Sequence, residues 1–177
     1  MMLRLANILL PVLITSIVAL AACLPWGAPA PVQFALPLLT MAVIFYWAVK
    51  RRHQLPSPAV FLIGLFTDLA TAGPLGYWAL NFLIAVAVAS YGIDRIDNRR
   101  SLLATTFAFA LAVAAVSGIG WLLSSLFQLR ALPAQSLTQG ALIAVAAYPM
   151  VAYVLGPVDR LAGNSERAAS LRGMDRT

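Results

Sequence analysis

Charge is what this chain has least of. Twelve lysines and arginines, six acids and one histidine are all that 177 residues carry, so 10% are charged while 62% are hydrophobic. Soluble chains hold about a quarter charged residues, which excludes an ordinary globular domain. The single cysteine, Cys23, excludes an intrachain disulfide and a cysteine metal cluster. The single histidine, His53, sits in the basic loop Lys50-Arg-Arg-His53 and reads as a solvated loop residue. With no second histidine or cysteine for a metal site, and no nucleophile paired with a base, nothing supports catalysis or a cofactor. A fixed-period repeat is also missing, which removes the inverted-repeat carriers.

What is present comes in long apolar blocks. They predict an all-α integral membrane protein, since only helices and closed barrels satisfy their backbone in lipid. Six spans are expected: Leu5–Leu24, Phe34–Val49, Pro58–Ala72, Leu75–Ile93, Ser101–Phe127 and Leu137–Gly156. Together they make one six-helix transmembrane domain over 1–158, followed by a short polar tail over 159–177 expected to lack order. The second and third spans fall short of the ~20 residues of a full crossing, so they tilt little, thin the bilayer, or stop before the far interface. Ser57-Pro58 reads as an N-cap followed by proline at the first helical position. Gly73-Pro74 reads as the stop, leaving the third and fourth spans as a tight hairpin.

The net charge of +6 is distributed by topology rather than gathered on a soluble face, so nucleic acid is not a partner. With the N-terminus inside, Arg4, Lys50, Arg51, Arg52, Arg95, Arg99, Arg100, Arg160, Arg167, Arg172 and Arg176 all fall on the cytoplasmic side, and only Arg130 falls outside. That bias puts both termini in the cytoplasm and requires an even number of spans. The basic loops Lys50–Arg52 and Arg95–Arg100 serve as topology determinants, or meet anionic lipid head groups or a cytoplasmic partner. The proline-rich segment 25–33 reads as a stiff outer loop.

One acid stands alone in the uncharged stretch from Ala59 to Ile93. Asp68 lies in Phe61-Leu-Ile-Gly64-Leu-Phe-Thr67-Asp68-Leu-Ala-Thr71-Ala-Gly73-Pro74-Leu-Gly76. A carboxylate in a bilayer costs at least a few kcal/mol and faces protein or a water-filled cavity. Counting back from the Gly73 stop, Asp68 and Asn81 lie within about 4 to 5 Å in depth. Asp68, Thr67 or Thr71, and Asn81 are therefore expected to form one polar cluster. Two roles stay open: a clamp in which the carboxylate caps N–H groups of the Gly-Pro-Leu-Gly turn, or a proton or substrate site. No second intramembrane charge is available to complete a relay.

Weaker signals complete the reading. Pro11, Pro37 and Pro149 lie inside apolar spans and read as kinks. Ala114-x-x-x-Gly118 and Gly140-x-x-x-Ala144 permit close helix contacts. Leu20-Ala-Ala-Cys23 has the form of a lipoprotein cleavage box, but the apolar run is long enough to stay as a span and is followed by Leu-Pro-Trp rather than a polar tether.

Two segments carry a family likeness: Pro37 with the apolar run that ends Tyr46-Trp47-Ala48, and Phe61-x-x-Gly64-Leu65-x-x-Asp68-Leu69 with Gly73-x-Leu75-Gly76 after it. Here the chain resembles the MreD family of bacterial rod-shape-determining membrane proteins. Where many family members carry a polar residue before the proline of the second span, this chain has Leu36. The resemblance implies a place in the inner membrane, in the machinery of lateral cell-wall elongation. The implied partners are the periplasmic scaffold MreC, the actin-like MreB, the glycosyltransferase RodA and its penicillin-binding transpeptidase. It also implies a bundle similar to the S-components of energy-coupling-factor vitamin transporters, and no catalytic activity.

Two functions follow as expectations. One is a non-enzymatic scaffold that binds an MreC-like protein, with Asp68, Asn81, Gly73, Pro74 and Gly76 holding the hairpin. The other is a binding subunit for a small molecule or a lipid-linked precursor, with Asp68 and Asn81 lining a pocket. An ion channel lacks any filter-like sequence.

Overall fold

The computed structural model describes residues 2–51, 54–72, 74–92, 101–127 and 133–174. They are all-helical, with no strand among the described residues. Six α-helices run in order: α1 Met2–Ala22, α2 Ala30–Lys50, α3 Ser57–Ala70, α4 Tyr77–Ala87, α5 Leu102–Phe127 and α6 Gln135–Met174. A π-helical turn, Val88–Gly92, continues α4.

Each expected apolar block contains one helix, with instructive differences at the ends. The second block is longer than its hydropathy suggested. α2 begins at Ala30 behind Pro29 and takes Pro31 into its first turn, where a missing N–H costs nothing and the fixed φ is already helical. Part of the expected outer loop is thus helix. The third block starts one residue early. Pro56 holds the N-cap position with φ −68° and ψ 136°, Ser57 opens the helix, and no side chain caps it. α3 ends at Ala70, and the left-handed residue after it is Ala72, φ 51°. An alanine there costs about 1–2 kcal/mol relative to glycine. Gly73, expected as the stop, lies outside the described residues. The last block does not end near Gly156. α6 carries Pro149 and Pro157 inside it and runs on to Met174, so the backbone of the expected unstructured tail is helical from residue 159 to Met174.

Three helical stretches are long and apolar enough to cross a membrane: Ala30–Lys50, Leu102–Leu122 and Gln135–Arg160. The other described apolar helices, Leu9–Ala22, Ser57–Ala70 and Tyr77–Ser90, are shorter than that. The six blocks expected to span are therefore six helices of unequal reach.

α2 is the axis of the bundle. From Thr40 to Val49 every residue is buried, as befits a helix that is apolar all round. α6, α1, α4 and α5 pack around it. Phe45 of α2, Phe109 of α5 and Tyr148 of α6 interlock at its centre. The Phe109 and Tyr148 rings stack at 4.7 Å and both meet Phe45 edge-on, at 5.4 and 5.9 Å. Such pairs add about 0.5–1.5 kcal/mol each to the area they bury. At the other end of α6, Gly140 lies where a Cβ would stand 2.8 Å from the Pro31 carbonyl oxygen, and Ala144 one turn on is fully buried. The Gly140/Ala144 pair thus seats α6 on α2. The Ala114/Gly118 pair does not make such a contact: both residues face outward, and Gly118 has open space beside it. The glycine of α5 that meets a neighbour is Gly120, against the Tyr77 side chain.

Candidate functional site

The buried residues of α3 are Val60, Ile63, Gly64, Thr67 and Asp68, a spacing of three and four that defines one helix face. That face lies on α4. Gly64 lets the two backbones touch, because a Cβ at this position would run into the backbone of Ala79. One turn further along the same face, the Asp68 carboxylate reaches the start of α4.

That start has no cap of its own. The N-cap residue is Gly76, with φ 92°, a left-handed conformation that glycine adopts without strain but which brings no side-chain acceptor. Asp68 supplies one from the neighbouring helix. Its Oδ2 accepts the Gly76 N–H at 2.8 Å and its Oδ1 accepts the Trp78 N–H at 2.7 Å. A side-chain oxygen bonded to the N–H of the second helical residue is the usual work of an N-cap. The positive end of the α4 dipole adds to the attraction. Asp68 has 0% exposure, and each of its oxygens accepts from a backbone donor.

The threonines do not join this cluster. The Thr67 hydroxyl donates to the Ile63 carbonyl at 2.9 Å and the Thr71 hydroxyl to the Thr67 carbonyl at 2.7 Å, each bonding back along α3. Asn81 is brought to the same helix pair, 5% exposed, and makes no hydrogen bond to Asp68 among the described residues. It neighbours the Tyr77 hydroxyl, yet its Nδ2 has no acceptor in hydrogen-bonding geometry among the described residues. Two more buried polar groups are in that position, Thr40 Oγ1 and Trp47 Nε1. Pro74 is exposed at the turn. Trp78 was missed by residue-level reasoning because it acts through its backbone. The available signal was Gly76, a helix start with nothing to cap it.

At the other end of the bundle the first basic loop is tied down. Arg51, at the C-cap of α2, donates from Nε to Asp159 Oδ1 at 2.5 Å and from Nη2 to the Asp159 carbonyl oxygen at 2.6 Å. Arg51 is thus engaged within the protein, joining α2 to α6. Lys50 is exposed in the last turn of α2. Arg52, Arg95, Arg99 and Arg100 lie outside the described residues. Among the described residues no three of His, Cys, Asp and Glu gather as a metal site.

These features define a class: a protein whose described residues are helical, with helices long and apolar enough to cross a membrane and a buried carboxylate, Asp68, that joins two helices. The family model for the rod shape-determining protein MreD matches residues 2–155, and the chain belongs to that family. Its role is accordingly that of a rod-shape-determining membrane protein, in the rod-shape complex that also includes MreC and MreB. No curated protein and no solved structure matches the chain.

Proposed function

We propose that this protein is a non-enzymatic scaffold of the cell-wall elongation complex, binding an MreC-like membrane partner through a lipid-facing helix surface. The observation that carries the reading is the Asp68 carboxylate. Both of its oxygens hold backbone N–H groups of α4, so the one acid of the hairpin serves helix packing rather than a proton or a substrate. The family match supports the setting. RodA-like and penicillin-binding proteins belong to the same setting as further partners. In this reading the membrane is the bacterial inner membrane, with both termini cytoplasmic, because eleven of the twelve basic residues then face inward. Reporter fusions after Arg130 and after Thr177 test that topology.

The binding test is photocrosslinking in native membranes. Reactive residues go at exposed positions on three helices: Leu62 of α3, Phe107 of α5 and Tyr153 of α6, exposed by 64, 66 and 83%. The scaffold reading expects an MreC-like protein on one of these faces. Recovery of lipid alone from all three rejects it.

A second reading is favoured by a separate observation. Thr40 Oγ1, Trp47 Nε1 and Asn81 Nδ2 are buried with no partner in bonding geometry among the described residues, and such groups normally have one. A binding subunit for a small molecule or lipid-linked precursor, with an S-component-like bundle, would use them. A stoichiometric ligand in the purified protein, lost on Asn81→Leu, supports this reading over the scaffold.

A further inference from the structure

α6 has two breaks in its hydrogen-bond ladder, and they are held in different ways. Pro149 and Pro157 both lie inside the helix, and each deprives the carbonyl four residues earlier, that of Val145 or Tyr153, of its N–H partner. At Pro149 packing holds the helix. Tyr148 beside it is 1% exposed and stacked on Phe109 at 4.7 Å, and Leu155 further on is 6% exposed. At Pro157 such packing is missing: no residue from Gly156 to Arg160 is fully buried. Gly156 has open space around its missing Cβ and adds the backbone freedom of glycine. Sharp helix kinks belong at such sites.

Two residues past this weak point, Arg51 takes hold of α6. Its Nε donates to Asp159 Oδ1 and its Nη2 to the Asp159 main-chain carbonyl oxygen, at 2.5 and 2.6 Å. The second bond grips the helix backbone itself, not only a side chain that can turn. A guanidinium presents these donors in a rigid planar fork. Arg51 is in turn anchored at the C-cap of α2, where its N–H donates to the Trp47 carbonyl, and Trp47 is 0% exposed in the axis of the bundle. The apolar crossing segment of α6 ends at Arg160, while the helix runs on from residue 161 to Met174, about 21 Å more.

We propose that Arg51 and Asp159 form a latch on a hinge at Gly156-Pro157, and that the latch sets the direction of the helical arm beyond Arg160. With the latch closed, arm and bundle move as one body, and a displacement of the arm is carried to α2. With it open, the arm swings about Pro157 while the core stays packed. The arm is cytoplasmic in the topology proposed above, but the latch depends neither on that topology nor on which function holds.

The test is a distance measurement between two nitroxides on the full-length protein in phosphatidylcholine nanodiscs, by double electron–electron resonance. Cys23→Ser removes the only native cysteine. One pair, Leu103→Cys on α5 and Ala169→Cys on the arm, spans the hinge. A second pair, Leu103→Cys and Leu142→Cys, stays within the bundle at two exposed positions. The expected result is a narrow distribution for both pairs with the latch intact. Arg51→Gln should then broaden the first pair several-fold and leave the second unchanged, and adding Pro157→Ala should narrow the first pair again. A first pair that is already broad with Arg51 in place overturns the proposal, and so does one that stays narrow in Arg51→Gln. A first pair that Pro157→Ala leaves broad puts the bend elsewhere and overturns the hinge. If Arg51→Gln broadens the second pair too, the bundle has loosened, and Arg51→Lys, which keeps the charge without the fork, is read by the same outcomes.

Discussion

Gly64 and Ala79 meet with nothing between them but backbone: a Cβ placed on Gly64 would stand 2.6 Å from the Ala79 nitrogen. Gly64→Ala should therefore destabilise the protein by about 1–3 kcal/mol, as overpacking does, and Gly64→Val by more. Gly118, with open space around its missing Cβ, is the control. Gly118→Ala should be neutral or gain up to about 1 kcal/mol from helix propensity. Thermal unfolding in detergent reads all three, and equal effects at the two positions would refute the close contact.

Asp68 holds two N–H groups with two oxygens, and each substitution removes a defined part of that. Asp68→Asn keeps one acceptor and turns a donor toward the other N–H, a loss of about 1–2 kcal/mol. Asp68→Leu leaves both donors buried and unpaired and should cost about 3 kcal/mol or more. A proton-carrying role predicts a different pattern, in which the asparagine variant folds and fails to restore rod shape in cells lacking the native protein. An asparagine variant that folds and restores shape removes proton chemistry.

The ion pair between Arg51 and Asp159 is partly shielded, with side chains 11 and 25% exposed. A double-mutant cycle with Arg51→Gln and Asp159→Asn should give a coupling of about 1 kcal/mol, between the values typical of exposed and buried pairs. Raised salt should weaken it modestly, since the pair is not fully in solvent. A coupling indistinguishable from zero would show that the contact adds nothing to stability.

The aromatic cluster predicts the largest single loss. Phe109 is fully buried between Phe45 and Tyr148, so Phe109→Ala should cost about 3–5 kcal/mol. Phe107, two residues earlier and 66% exposed on the outer face, should tolerate the same change within about 0.5 kcal/mol. Chemical denaturation of the two variants side by side separates core from lipid face.

The apolar blocks made the six helices legible, because in lipid only helices and closed barrels satisfy their backbone and runs of this length exceed a barrel strand. Asp68 was legible for the converse reason, a charge where charge is expensive. Its partners were not. Trp78 contributes an N–H that every residue but proline has, and Gly76 is informative only once α4 is known to start there. Thr67 and Thr71 looked like members of the cluster by depth, but a hydroxyl on a helix has its own carbonyl four residues back to bond to. The Arg51–Asp159 pair joins residues 108 positions apart, and no local pattern announces a pairing over that distance. The start of α2 was hidden by Pro29 and Pro31, which break a hydropathy run yet suit a first helical turn.

The burial of α2 has a consequence for how the chain is made. α2 leaves the ribosome before α6, which covers much of it. Until then the side of α2 destined for α5 and α6, with Phe45 at its centre, has only lipid or another protein to lie against. The mature protein hides from the bilayer the helix that its own synthesis first exposes there, so the order of assembly runs from the axis outward.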